Sequence, residues 1–407
     1  MSEVSERLKH IILHAYARAP AVKSIFDAAG VSPDDIQTIT DLDKIPVTSK
    51  DRLVELQAAD PPFGGFLAVP LDTLQHVFFS PGPLYEPSAD EGAVMDTVRD
   101  VFAIAGFTAE DVVINTFGYH LIPTGLALDQ VLTQIGATVI PAGVGNADLQ
   151  VKMMLDLGVT AYIGTPSWLM ALIQKAEVGQ VGNLSHQFCL QKALVSAEPL
   201  PPALRQTFVE KYGLRVTNAY GTAELGFLAY NTEGGLAMRL LKTPIIQVVN
   251  PETGKSAGPG ETGEVVVTTF NETYPLIRFG TGDLAVSLDP APGESRQEDR
   301  SIILVGRVGD AVKVRGMFVH PNQLRFVLAQ VPGIARAQAV VARTENRDQL
   351  TLRVVLADQA ADCEALTKGL SAAVQSACRV KVDRVEFIPA DALAEDAAVI
   401  LDERRWE

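Results

Sequence analysis

Cysteine is scarce in this chain, with Cys189, Cys363 and Cys378 the only three among 407 residues. They are too few and too far apart for a disulfide framework, and they lack the close spacing of a zinc site or a CxxC redox pair. They read as reduced thiols of a cytoplasmic protein. No apolar run approaches the roughly 18 residues that a membrane-crossing helix needs. The opening stretch, MSEVSERLKHIILHAYARAP, has Glu3 and Glu6 where a secretory leader has basic and then apolar residues. Positive charge is in deficit: 34 Lys and Arg against 49 Asp and Glu leave a net charge of −15, a field that repels nucleic acid. What remains is an ordinary globular balance, 47% apolar and 20% charged, which excludes wholesale disorder. At roughly 150 residues per domain the length predicts two or three domains. No repeat of 20 to 50 residues is present.

The first segment spaces Val4, Leu8, Ile11, Ile12 and Tyr16 as one face of an amphipathic helix, which predicts packing on its own domain rather than a membrane anchor. From about residue 91 short apolar strands alternate with helices. Helices are predicted over Gly92–Ala105, Leu126–Ile135, Leu149–Leu157, Ser167–Lys175 and Pro202–Tyr212. Strands are predicted at Val112–Asn115, Thr138–Ile140, Thr160–Ile163, Ala193–Val195 and Arg215–Thr217. That rhythm predicts an α/β domain with a mostly parallel sheet covered on both faces, and a ligand beyond the strands' carboxyl ends. After residue 225 short β-rich runs, Ile245–Val249, Gly263–Thr269 and Ile302–Val305, predict an added β-subdomain. The last hundred residues read as a small α+β module, βαββαβ, with helices Gln323–Gln330 and Cys363–Cys378 on one sheet face. The boundary falls near Gly306–Asp310, which divides the chain into a domain of residues 1–307 and a domain of residues 308–407.

Three polar clusters carry candidate chemistry. NAYGTAELG follows a predicted buried strand and projects Glu224 from a loop, as a magnesium ligand requires; a solvated turn explains it as well. TYPLIRFGTGDLAV sets Arg278 and Asp283 around a Gly-Thr-Gly turn, and a fixed carboxylate accepts hydrogen bonds from a vicinal diol such as ribose; an ordinary surface Asp in a turn is the alternative. GRVGDAVKVRGMFVHP gathers Arg307, Asp310, Lys313 and Arg315, which suits an anionic ligand or a solvated basic face.

Together these clusters resemble the adenylate-forming superfamily of acyl-CoA synthetases, and most closely the phenylacetate-CoA ligase-like proteins. The resemblance runs through eight strings in order: DLDKIPVTSKDRL, FGYHLIPTGL, IGATVIPAGVGNADLQ, YIGTPSWL, KALVSAEPLPP, NAYGTAELG, YPLIRFGTGD and GRVGDAVKVRGMFVHP. It implies a large α/β domain with a mobile C-terminal lid. It also implies an ATP-dependent ligase, using Mg²⁺ and coenzyme A, that makes an acyl-adenylate from an aryl or arylacetic acid. Tyr220 would stack on adenine beside Ala197, Glu198 and Pro199, with Asn218, Ala219, Gly221 and Thr222 in the same nucleotide-binding loop. Glu224 would hold magnesium, Asp283 and Arg307 the ribose, and Ser80 and Lys313 would add nucleotide contacts. Tyr119 would lie between nucleotide and acyl group, with His120 at a position where the family has glycine. Phe117, Tyr119, Pro141, Ala142 and Gly143 would line the acid pocket, although core packing explains these residues as well, and Trp168 reads as packing. A homodimer follows by the same analogy.

The chain departs from that family in four places. The phosphate loop reads FFSPGPLYEP, with Ser80 its one Ser or Thr, Pro81, Pro83 and Pro87 lacking amide donors, and Glu86 adding negative charge where a triphosphate needs positive. Ala223 replaces a hydroxyl residue before Glu224, and Gly309 replaces the hinge's acidic residue. The segment ALAEDAAVILDERR holds no lysine where the family presents one, and Asp396 falls at about its place. Loss of such a charge typically costs about 2–4 kcal/mol of transition-state stabilisation. These departures predict slowed adenylation, and they support a second reading: a binding protein for AMP, acyl-adenylate or coenzyme A that acts as a sensor or partner subunit.

Overall fold

The computed structural model describes residues 3–80, 84–89, 92–179, 189–315, 317–344, 347–357, 362–378 and 380–404. Contacts divide the chain into two compact units, one of residues 1–247, 266–281 and 290–302, the other of residues 248–265, 282–289 and 303–407.

In the first unit the parallel strands lie in the order Thr138–Pro141, Val112–Asn115, Ala161–Gly164, Lys192–Val195 and Arg215–Thr222. The first four are short and largely apolar because helices cover both faces. Helices Gly92–Ala105 and Thr124–Ile135 contribute to a core with Phe102, Leu128 and Val131, while Ala147–Asp156 and Pro166–Gly179 contribute to another with Met154, Leu169 and Leu172. Arg215–Thr222 then turns back as Gly226–Asn231, paired antiparallel, and Met238–Leu240 follows beside it. Chain order and spatial order part at Val112–Asn115, which is flanked by the strand that follows it and by the next one after that. This is the topological switch point where ligands of open α/β sheets bind. A buried ion pair secures the opposite end of the sheet. Lys192 Nζ donates to Asp111 Oδ2 (2.9 Å) and to the Gly106 carbonyl (2.7 Å), while Thr108 N and Thr160 Oγ1 also donate to Asp111.

The N-terminal helix spans Glu3–Arg18 and buries Leu8, Ile11, Ile12 and Ala15. Two sequence expectations need correction. FFSPGPLYEP is not simply a loop: His76–Ser80 and Leu84–Ser88 form an antiparallel pair, and the expectation about Pro81 and Pro83 lies outside the described residues. Arg215–Thr222 also runs five residues past its predicted end, so Asn218 to Thr222 belong to the strand itself, and Glu224 sits in the turn that follows.

In the second unit Ile334–Thr344 and Arg347–Leu356 form an antiparallel pair, edged in parallel by Ile400–Asp402 and Arg384–Phe387. Helices Pro321–Ala329 and Cys363–Cys378 share its core through Leu324, Leu370 and Val374 with Leu350 and Val354. The strand Ile400–Asp402 has no counterpart in the sequence expectations. No disulfide joins the three cysteines. No helix among the described residues is long and apolar enough to cross a membrane.

Candidate active site

The carboxyl ends of the parallel strands carry most of the predicted site residues of the first unit. At the switch point Asn115 is fully buried and organises the following FGYHLIPTG segment. Its side chain accepts from Phe117 N (3.1 Å) and donates to the Gly125 carbonyl (3.0 Å) and the Tyr119 hydroxyl (2.9 Å). Tyr119 in turn donates to Asp129 Oδ2 at 2.8 Å. Burial, followed by the Asp129 carboxylate, pushes the Tyr119 hydroxyl above its ordinary range, so it remains a donor. Only glycine fits at 125, since an added Cβ would come within 2.4 Å of the Gly118 carbonyl and 3.0 Å of the Tyr119 ring. Tyr119 and Phe117 are half-buried, and His120 is exposed.

Next to this segment, Pro141 ends its strand, and Gln150 ties down the loop after it. Gln150 is buried, donates to the Gly143 and Gly145 carbonyls (2.9 and 2.7 Å) and accepts from Trp168 Nε1 (2.8 Å). Trp168 therefore shapes the wall formed by Ala142 and Gly143 as well as packing. Beyond the strand Lys192–Val195 come Ala197, Glu198 and Pro199, all exposed. Glu198 Oε2 accepts from Ser167 N at 3.4 Å. Ala197 has φ +67°, a left-handed conformation that a residue with a Cβ rarely adopts and that concentrates at functional sites.

At the last parallel strand, Ala219 is buried while Asn218, Tyr220, Gly221 and Thr222 are half-buried. Gly221 is sterically required, because a Cβ would lie 2.3 Å from the Gly226 carbonyl across the turn. Glu224 keeps only 4% of its side chain exposed, and Lys50 Nζ lies 2.7 Å from its Oε1. Lys50 opens the helix Lys50–Ala59, from which Gln57 exchanges two hydrogen bonds with the Tyr85 backbone and donates to the Tyr274 hydroxyl (2.9 Å). That brace holds the pair His76–Ser80 and Leu84–Ser88, and places Glu86 beside Glu224. Together with Phe78, Val94, Ala223 and Tyr274, these two carboxylates line a hollow with ≈ 600 Å³ of empty space, including solvent at its mouth. Burial pushes the Glu86 carboxyl up to about 7, with the Glu224 charge adding to the rise; Ser80 and Lys50 pull the other way. Sequence reasoning missed Lys50 as a site residue, although it lies within the matching string DLDKIPVTSKDRL.

In the second unit Arg307 Nη1 donates to Asp283 Oδ1 at 2.8 Å. Glu264 accepts from Gly282 N (2.9 Å), and burial, followed by the Asp283 charge, raises its pKa. Arg315 does not belong to a free basic cluster, since it pairs with Asp383 at 3.0 Å. Lys313 lies on the strand Val312–Val314.

The donors of the first unit suit magnesium, which commonly takes one or two carboxylates together with water and substrate phosphates. Glu86 Oε1 and Thr222 Oγ1 are buried with no hydrogen-bond partner, while Glu224 Oε1 faces the Lys50 ammonium. Among the described residues no group of three or more His, Cys, Asp or Glu is placed to hold a metal, so the protein's share is at most this pair with hydroxyls.

The model of the AMP-binding enzyme family matches residues 93–271. The phenylacetate-coenzyme A ligase of Escherichia coli strain K12 is 31% identical over 370 residues, which cover 86% of this chain and 81% of that protein. The phenylacetate-coenzyme A ligase of Thermus thermophilus is 30% identical, with coverage of 87% and 80%. Among solved structures, 2-hydroxyisobutyryl-CoA ligase in an open conformation, with 2-HIB-AMP and CoA, superposes with a TM-score of 0.81. It shares 24% identity, covering 98% of this chain and 91% of that one, which establishes the fold. The chain belongs to the phenylacetate-CoA ligase family of AMP-binding enzymes, ATP-dependent ligases that join an acid to coenzyme A through an acyl-adenylate.

Proposed function

We propose that this chain activates an aryl or arylacetic carboxylic acid, in the manner of the phenylacetate-CoA ligases it resembles. The observation that carries the reading is the buried Glu224 carboxylate just past the end of the last parallel strand, held by Lys50 beside a hollow at the sheet's carboxyl edge. In the first half-reaction a carboxylate oxygen of the acid attacks the α-phosphorus of ATP and pyrophosphate leaves. In the second, the sulfur of coenzyme A attacks the acyl carbon and AMP leaves. The protein works by positioning and electrostatic stabilisation, and no side-chain nucleophile is required. Magnesium, when bound, neutralises charge on the phosphates.

Tyr119, held by Asn115 and Asp129, offers a fixed aromatic face to the acid, with Phe117 and the Pro141–Gly143 loop completing an apolar wall and His120 at its rim. Ala197, Glu198, Pro199, Asn218, Ala219, Tyr220, Gly221 and Thr222 line the nucleotide's path, and Ser80 and Lys313 add contacts. Asp283, oriented by Arg307, takes the ribose hydroxyls. Residues 1–307 serve as the adenylation domain and residues 308–407 as the lid. The protein works in the cytoplasm, as a homodimer. The test is acid-dependent exchange of labelled pyrophosphate into ATP across a panel of aromatic and aliphatic acids. Aromatic acids are expected to support exchange; exchange with aliphatic acids alone contradicts the reading.

Glu86 favours a second reading, since it sets a carboxylate near the place where the family's phosphate loop holds triphosphate. On that reading the chain binds AMP or an acyl-adenylate without adenylating, and calorimetry would show AMP affinity with no exchange.

A further inference from the structure

The hollow beside Glu224 holds one carboxylate more than the family pattern requires. Glu86 is 8% exposed, and its Oε1 has no hydrogen-bond partner. Phe78 pairs with Glu86 across the two strands, and both side chains line the hollow together with Glu224. Buried polar atoms are nearly always satisfied, so an unpartnered carboxylate oxygen of Glu86 at the hollow points to a missing partner. Lys50 Nζ lies 2.7 Å from Glu224 Oε1. With both carboxylates ionised, one ammonium leaves the cluster net negative in a poorly solvated place, which favours either a proton or a cation there. The same negative charge would repel a polyphosphate. A divalent cation with a preference for oxygen reverses the sign and removes both difficulties.

We infer that Glu86 is the second carboxylate of a divalent-cation site that it forms with Glu224, and that Lys50 is the counter-ion holding that site when the cation is absent. The inference rests on the proposed adenylating reading, and it gives the departure FFSPGPLYEP a purpose: where phosphate-binding amides are lost, a protein-bound Mg²⁺ receives the phosphates.

Nucleotide-free protein titrated with Mn²⁺, with free metal followed by electron paramagnetic resonance, tests this. One site is expected in the wild type. Glu86→Gln, which keeps the shape and removes the charge, weakens it about tenfold or more, since carboxylate number tunes affinity. Lys50→Met tightens it, because the competing ammonium is gone; a merely structural role for Lys50 would not produce this opposite sign. Mn²⁺ raises the melting temperature of the wild type and loses that effect in Glu86→Gln, whose circular dichroism and cooperative thermal melt establish folding. Wild-type Mn²⁺ affinity in Glu86→Gln overturns the inference, as does absence of the site from nucleotide-free wild type, and weaker binding in Lys50→Met overturns the counter-ion role. Pyrophosphate exchange with Mn²⁺ binding indifferent to Glu86 sinks the inference alone. Mn²⁺ binding that depends on Glu86 without exchange sinks the adenylating reading alone.

Discussion

Asp111→Ala removes the carboxylate beneath the amino ends of the parallel sheet. In the native chain this group receives Lys192 Nζ, Thr160 Oγ1 and Thr108 N at 2.9, 2.9 and 2.7 Å, and both charged side chains are at most 10% exposed. After truncation the Lys192 ammonium stays buried with the Gly106 carbonyl and the face of Phe107 as its remaining contacts. Breaking a buried pair in this way costs about 3–5 kcal/mol, because a charge is left without compensation. Asp111→Ala/Lys192→Met, which removes both charges, recovers most of the loss, since an apolar pair of similar volume is often neutral. Burial raises the Asp111 pKa, but the hydrogen bonds from Lys192, Thr108 and Thr160 outweigh it and leave it below the ordinary 3.8. Its stabilisation is therefore present above that value and lost as pH falls through the lower folded one. Urea unfolding at neutral pH, read by circular dichroism, supplies the free energies. A single-mutant loss below about 1 kcal/mol, or a double mutant no better than the single, would refute the reasoning.

Other expectations concern the site. Gly221→Ala pushes a methyl to 2.3 Å from the Gly226 carbonyl and destabilises the chain by about 1–3 kcal/mol or more; a thermal melt equal to wild type contradicts this. Asp283→Ala, which removes the acceptor aligned by Arg307, weakens AMP binding by about 1.5–3 kcal/mol, and unchanged calorimetric affinity rejects the ribose assignment. Asp129→Asn loosens the hold on Tyr119, lowering kcat/KM for the aromatic acid about tenfold while AMP affinity stays constant. An equal fall in both would mean that Asp129 acts on general stability instead.

The parallel sheet was legible because doubly covered strands carry continuous apolar runs, as in residues 112–114 and 193–195, and because helices such as Gly92–Ala105 alternate with them. The order of motifs likewise placed Tyr119, Ala197 and Glu224 at strand ends. Contacts remote in sequence were not legible. The polar NAYGT segment becomes strand only by pairing with Gly226–Asn231, and Ile400–Asp402 is too short to announce itself without its parallel neighbour. Lys50 looked like a helix-start residue on the surface, and nothing local links it to Glu224. Gln150 and Asp129 were hidden for a similar reason: their helical spacing is unremarkable, and their value lies in which loop carbonyl or hydroxyl they meet. Glu86 was visible as an oddity of charge, while its burial beside a second carboxylate came only from the fold.

The most direct measurement is the product stoichiometry of a quenched reaction containing the enzyme, ATP, Mg²⁺, coenzyme A and phenylacetate, resolved by chromatography and mass spectrometry. The account predicts equal amounts of AMP, pyrophosphate and the aryl thioester, with formation of all three abolished in Glu224→Gln. Formation of ADP and phosphate, or thioester formation that survives Glu224→Gln unchanged, would contradict it.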